Sequence, residues 1–309
     1  MSNTMSKSAG TVKRKILKSW EYYLFILPTF LYIVIFSYLP MYGVQIAFKN
    51  YNPAFGMGES EWIGLKHLAN FFEGFYFVRL MRNTFLLSIY SLVLGFPIPI
   101  ILALMLNEIR STKYRKLVQT TVYAPHFIST VVMVGIIHTM LSPSIGLINH
   151  ILELLGQERQ YFLIQPKAFR TVYVVSGIWQ NMGWNAVIYL AALSAVSPEL
   201  HEAATIDGAS RLQRILHINI PTIMPTIIIL LIMRMGNLAS VGYEKVYLLQ
   251  NDLNLETSEV VSTYVYRRGL EGGQYSFSTA VGLFNNIINI VMLLAANFIA
   301  GRAGETSLF

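Results

Sequence analysis

A cluster of amides and indoles interrupts an otherwise apolar run at Trp179-Gln180-Asn181-Met182-Gly183-Trp184-Asn185. In a helix, Asn181 and Asn185 are i, i+4 neighbours on one face, with Gln180 and Trp184 on the adjacent strip. Amides pair with hydroxyls, and the flat C-H face of a sugar stacks on indole, so this mixture suits a carbohydrate pathway. Interhelical hydrogen bonding, with Gly183 admitting a close neighbour, is the competing use of the same residues. Asn285, Asn286 and Asn289 repeat the theme more weakly, and helix contacts are the favoured reading there. Arg234 lies about 18 Å along a run counted from Thr222, where an unpaired charge costs about 2.5–3.5 kcal/mol on insertion scales. It must snorkel, find a partner such as Glu244, or line the pathway. The candidate pathway residues are therefore Trp179, Asn181, Trp184, Asn185, Arg234, Asn285 and Asn289.

These groups need a membrane scaffold, and the composition supplies one. The chain has 309 residues, 54% of them hydrophobic and only 13% charged, with a positive mean hydropathy, which is outside the usual soluble range. The net charge of +7 does not indicate a nucleic-acid partner, because the cations do not cluster with aromatics and many flank apolar runs. There is no cysteine, hence no disulfide, thiolate metal site or cysteine nucleophile, and the six histidines lack metal-ligand spacing. The sequence has no G-x-x-x-x-G-K-[ST] loop and no G-x-S-x-G elbow, so neither ATP hydrolysis nor an acyl-transfer enzyme is expected, and no metal or cofactor is expected in this chain.

Six apolar runs are long enough to span about 30 Å of hydrocarbon: about 22–43, 83–106, 117–141, 170–195, 219–239 and 277–300. Residues 1–21 form a basic tail with Lys7, Lys13, Arg14, Lys15 and Lys18, and the first run is too long for a signal peptide and lacks a small-x-small cleavage site. Residues 22–309 then form one polytopic all-α domain. Total Lys and Arg barely separate the two sides, at twelve against ten, but Arg110, Lys113, Arg115 and Lys116 crowd one short loop. That density places this loop, and with it both termini, in the cytoplasm. Pro97, Pro99, Pro125, Pro221 and Pro225 fall within or at the starts of spans and predict kinks or breaks. No run carries an interior Asp or Glu, which argues against a proton- or sodium-coupled carrier working alone.

One internal segment is amphipathic without being apolar enough to span: Ser197 to Ile218, S-P-E-L-H-E-A-A-T-I-D-G-A-S-R-L-Q-R-I-L-H-I. Ser197 can cap a helix whose first turn holds Pro198 and Glu199. Leu200, Ala203 and Ala204 share a face, Gly208 interrupts, and Leu212, Ile215 and Leu216 resume the spacing. The expectation is two short helices bent at Gly208.

Glu202-Ala203-Ala204, three residues, Gly208, nine residues, then Ile218-Asn219-Ile220-Pro221 resembles the E-A-A-x3-G-x9-I-x-L-P signature of permease subunits of ATP-binding-cassette importers. Ile220 in place of Leu is the sole departure. The stretch Tyr22 to Pro53 is similar to permeases for complex oligosaccharides and polysaccharide fragments in Gram-positive-type bacteria, although the extra N-terminal spans and large outer insertion of some maltose-type permeases are missing.

The resemblance implies the type I importer permease fold, with six transmembrane helices and a cytoplasmic coupling helix, in a bacterial plasma membrane among lipids. It also implies coupling to nucleotide-binding subunits through Glu202, Ala203, Ala204, Asp207, Gly208, Arg211, Leu212, Ile218 and Pro221. The partners it implies are those ATPase subunits, which would bind ATP and Mg, a second permease that is either a paralogue or an identical copy, and an extracellular binding protein that delivers the carbohydrate. A stand-alone carrier or channel and a membrane enzyme acting on lipid-linked sugar are the rivals. The former predicts transport without an ATPase, and the latter grouped acids or histidines at a membrane face.

Overall fold

The structure, a computed structural model, describes residues 18–304 and 306–308. Most of the basic tail, including Lys7, Lys13, Arg14 and Lys15, therefore lies outside the described residues. The chain divides into two compact units after Lys66. Apart from one isolated bridge, Lys49 to Trp62, no β-structure occurs among the described residues.

The first unit is built on α1 (Trp20–Phe48), 29 residues long with mean hydropathy 2.0 in its most apolar window and none of that window buried. Pro28 is tolerated inside it, and the helix loosens to a π-turn at Val34–Tyr38 before tightening at Tyr42–Phe48. Phe48 then stacks on Trp62 at 5.6 Å.

The second unit is a bundle around one long helix. In chain order its main elements are α2 (Phe77–Asn107), α3 (Thr112–Phe127) and α4 (Thr130–Met140), α5 (Pro166–Leu193), α6 (Pro198–Ile206), α7 (Arg211–Met235), α8 (Tyr243–Leu249), α9 (Val261–Tyr266) and α10 (Tyr275–Arg302). With 28 residues, α5 is about 42 Å long. It packs along both halves of α2 and against α3, α7 and α8. Gly183 makes the α3 approach possible: a Cβ there would lie 2.1 Å from the Val122 carbonyl oxygen. The polar stretch of α5 thus contains a close helix contact.

Three apolar clusters hold the bundle. Leu87, Met133, Phe169, Val174, Val246 and Val260 join α2, α4, α5 and α8. Ala103, Ala186, Tyr189, Leu193 and Ile223 join the far ends of α2 and α5 to α7. Phe71, Leu80, Val261 and Val281 join the start of α2 to α9 and α10.

Among the described residues, four helices, α1, α2, α7 and α10, are long and apolar enough to cross a membrane, and α3 with α4 make a fifth candidate if read as one broken span. The structure revises the expected single span over 117–141, because α3 and α4 meet at 103°. Pro125 lies in a 3-10 turn there, and Ser129 caps α4 by accepting from the Val132 N-H, so one helix ends and another starts. α5 has the length of a span, but the amides near its centre keep it outside the apolar set. Elsewhere the limits shift: α2 begins at Phe77 rather than 83 and α10 ends at Arg302 rather than 300, whereas α5 ends at Leu193 rather than 195 and α7 at Met235 rather than 239. Pro97 and Pro99 open the second half of α2, Pro97–Asn107, after the ladder of Phe77–Gly95 is interrupted at Phe96, and the two halves together make one candidate span.

Candidate functional site

Two regions concentrate the sequence-derived candidates. The first is the turn at the Leu193 end of α5. Ser197 caps α6, its hydroxyl accepting from the Glu199 N-H at 3.3 Å, and Pro198 occupies the first turn, where no N-H partner is needed. α6 ends in two tight bonds, Ala209 N-H to the Ala204 carbonyl at 2.8 Å and Gly208 N-H to the Thr205 carbonyl at 3.1 Å. This closure requires a left-handed residue, and Gly208 supplies it at φ +78°. Ser210 then opens α7 with a capping box, its hydroxyl taking the Gln213 N-H while Gln213 takes the Ser210 N-H.

The expectation of two short helices is therefore corrected at its second half. Arg211 and Leu212 are the first residues of α7, which runs without a break to Met235. Propensity continues through Ile215–Asn219 because that stretch relaxes to a π-turn, with the Ile220 N-H reaching back to Ile215. Such a turn accommodates Pro221, which has no N-H to give the normal ladder. Ile215 and Ile218 pack into the cluster around Ile223, whereas Leu212 and Leu216 are exposed.

Nothing in α6 is buried. Glu202, Ala203 and Asp207 are exposed and Ala204 is partly covered, while Leu200 is 53% and Ile206 86% exposed. The side chains that hold the turn together are polar: Arg214 donates to the Thr205 hydroxyl, which itself donates to the His201 carbonyl.

The second region is a cavity of about 270 Å³ at the middle of α5, walled by α2, α5, the end of α7 and α8. Asn181, Asn185 and Arg234 line it together with Gln180, Asn237 and Lys245. Ser88, Ser91 and Ser240 add hydroxyls, and Phe96 and Tyr173 add aromatic surface. Asn181 is held in place: its amide donates to the Gly177 carbonyl at 3.0 Å, and its carbonyl oxygen lies 3.1 Å from His126 Nδ1. Gln180 is tied to the Ile128 carbonyl at 2.9 Å. Asn185 and Arg234 have no hydrogen-bond or ion-pair partner among the described residues, and Glu244 is exposed on α8 instead of meeting Arg234.

The remaining candidates go elsewhere. Trp184 stacks on His126, rings 4.7 Å apart and 4° from parallel, so that indole face is already used. Trp179 is 45% exposed and outside the cavity lining. Asn285 donates to the Ala239 carbonyl at 3.0 Å. Asn289 accepts from the Ala239 N-H at 2.8 Å and donates to the Ser240 hydroxyl at 2.7 Å. Both bind the turn after α7 onto α10 and contribute to the cavity only through the position of Ser240. Sequence reasoning missed Lys245, which lies outside the apolar runs. Its ammonium donates to the Tyr173 carbonyl at 3.2 Å and sits 5.0 Å from the Tyr173 ring centre. Burial holds its pKa down to about 8.

With both regions defined, comparison with known proteins decides what they belong to. Residues 84–304 match the family model described as the binding-protein-dependent transport system inner membrane component. The chain belongs to this family of ABC importer permeases. Both the α6 turn and the cavity fall within the matched residues. The permease is 43% identical to the polygalacturonan/rhamnogalacturonan transport system permease protein YteP of Bacillus subtilis (strain 168), over 96% of this chain and 92% of the relative. It is 44% identical to protein LplB of the same organism, over 93% and 90%. A solved bacterial ABC transporter involved in import of the acidic polysaccharide alginate superposes with a TM-score of 0.87, at 44% identity over 94% of this chain and 99% of that one. A second structure of the bacterial alginate transporter, in complex with its alginate pentasaccharide-bound periplasmic protein, gives a TM-score of 0.88 at 44% identity over 96% and 99%. The permease is an inner-membrane component of a carbohydrate ABC importer, with the all-α importer permease fold.

Proposed function

We propose that the permease forms, with a second permease subunit, the pathway for an oligosaccharide or polysaccharide fragment, and that ATPase subunits drive it through α6. The reading is carried by one arrangement: a capped but wholly unburied α6 joined through Gly208 to α7, whose far end brings Arg234 to the cavity. A helix is stiff along its axis, so a push on α6 is delivered to the cavity wall, and the π-turn at Ile215–Asn219 provides a point of give. Ile206, Leu212 and Leu216 offer apolar surface for a partner, and Glu202 and Arg211 offer polar contacts around it.

In this reading ATP and Mg bind in the partner ATPase, since the chain has no phosphate-cradling loop of its own. Six spans, α1, α2, the α3–α4 pair, α5, α7 and α10, leave both termini cytoplasmic, on the side of the Arg110 to Lys116 cations. An extracellular binding protein delivers the saccharide to the opposite face. The amides and hydroxyls of the cavity, from Ser88 to Asn237, pair with sugar hydroxyls as the two faces open alternately.

The test is purification of the tagged permease from its native membrane, with identification of the bound subunits. Recovery of an ATPase and a second permease, and loss of the ATPase from an Ile206→Ser, Leu212→Ser double variant, is the expected result. A chain recovered alone that transports sugar without ATP would overturn the proposal in favour of a stand-alone carrier.

A further inference from the structure

The composition of the cavity says more about its cargo than the presence of hydroxyl-binding groups. Of the side chains that line it, Arg234 and Lys245 are cationic and none is acidic. They come from separate elements, the end of α7 and α8, and among the described residues neither forms an ion pair. Lys245 is half-buried, and a cation there is costly unless an opposite charge is supplied, whereas Arg234 lies exposed on the open side of the cavity. Elsewhere in the same unit the chain does supply one: Arg79 and Arg267 both reach the buried Glu259. The cavity cations are left for something the described residues do not supply.

Their surroundings define that missing group. Lys245 Nζ uses the Tyr173 carbonyl and ring, which fixes its place and leaves donors to spare, since an ammonium has three. Arg234 presents a planar fork matched to a carboxylate. Asn185, also without a protein partner, and the hydroxyls of Ser88 and Ser91 line the same space. A ligand that carries a carboxylate and several hydroxyls on one ring satisfies all of these at once.

The geometry points to Arg234 and Lys245 as a charge-selecting pair that receives the carboxylate of a uronate-bearing saccharide in the cavity. This rests on reading the cavity as part of the translocation pathway. A neutral sugar of the same size would leave both cations uncompensated and so binds worse, which makes the cavity a second filter behind the binding protein. A phosphate ester shares the anionic chemistry but lacks the repeated hydroxyl-bearing rings, and the experiment separates the two.

The assay is equilibrium binding to the purified permease–ATPase complex, held in one state by a hydrolysis-deficient ATPase and without binding protein. The probes are a trigalacturonate, its carboxyl-reduced neutral counterpart, and glycerol phosphate. ATP-driven trigalacturonate uptake by the hydrolysis-competent complex, supplied with its binding protein, is measured in parallel. The wild type is expected to prefer the uronate at least tenfold over the neutral sugar and over glycerol phosphate. Arg234→Gln and Lys245→Gln abolish that preference, whereas Arg234→Lys and Lys245→Arg retain most of it, which separates charge from shape. Equal or undetectable binding of all three probes by the wild type overturns the pair, as does unchanged preference in the Gln variants. If glycerol phosphate binds as tightly as the uronate, the site is a general anion site and the saccharide assignment falls. Absence of ATP-driven uptake by the wild type is a different failure, that of the importer reading itself.

Discussion

At the Pro166 end of α5, Glu259 is 5% exposed and held by Arg79 and Arg267, whereas at the Leu193 end α6 buries no residue and leaves Ile206 86% exposed. The first end is finished within the chain. Asn83 donates to the Glu256 and Glu259 carbonyls at 2.8 and 3.1 Å and accepts from Arg170 at 2.9 Å. Thr257 donates to the Pro166 carbonyl at 2.6 Å, tying the segment to the start of α5. The second end has ordered backbone, with caps at Ser197, Gly208 and Ser210, but its side chains face outward. Caps specify a shape, and burial supplies most of the stability. A segment that is shaped but not buried has surface free for a partner, and the contrast supports the proposal that this end of the bundle carries the coupling contact.

Four changes test that contrast, in falling order of effect. Glu259→Ala removes the buried carboxylate from two arginines that are 34% and 38% exposed and still reach water, so the cost falls below that of a fully buried pair, at about 1.5–3 kcal/mol. Thermal unfolding in detergent should therefore fall markedly, and a variant of wild-type stability would remove the finished-end half of the comparison. Gly183→Ala drives a methyl group into the Val122 carbonyl; overpacking of this kind costs about 1–3 kcal/mol, read as a lower melting temperature and weaker α3–α5 protection in hydrogen exchange.

At the other end the signs differ. Gly208→Val meets open space within the chain, so its cost is confined to the left-handed backbone, about 1–2 kcal/mol. Melting of the bundle should change little while ATP hydrolysis and uptake become uncoupled. Ile206→Ser should leave stability unchanged within about 0.5 kcal/mol and weaken ATPase retention on purification.

The smallest effect is a pH dependence inside the cavity. Lys245 is held down to about pKa 8 by burial, facing Tyr173 and sharing the cavity with Arg234, while Glu244 points outward. Its charge is full below that value and is lost as pH rises through it. Uronate binding should be flat from pH 6 to 7 and decline through about 8, and Lys245→Arg should flatten the profile. A decline that persists in the arginine variant assigns it to another group.

Hydropathy made most of this legible, because a helix that faces lipid writes its length directly into the sequence. α1, α2, α7 and α10 appear as apolar runs for that reason. α3 and α4 appear as one run because composition does not register a bend; the signals were Pro125 and the capping Ser129, four residues apart. The continuation of the Arg211 helix into α7 was hidden by Pro221, which reads as a boundary unless a π-turn precedes it. For the site, Asn181 and Asn185 stood out against apolar neighbours. Lys245 did not, since a lysine outside the apolar runs is unremarkable until folding carries α8 against Tyr173. Asn285 and Asn289, candidates for the pathway for which helix contacts were the favoured reading, bond to Ala239 and Ser240, about fifty positions earlier in the chain, a partnership that spacing alone does not name.

The central claim is that force applied at α6 moves the cavity wall through Gly208 and α7. It is tested most directly by measuring ATP hydrolysis and saccharide uptake together in proteoliposomes containing the full transporter, wild type against Gly208→Val and Glu202→Ala. The account predicts hydrolysis that persists without uptake in the glycine variant and a fall in both in the glutamate variant. Wild-type uptake per ATP hydrolysed in both variants would contradict it.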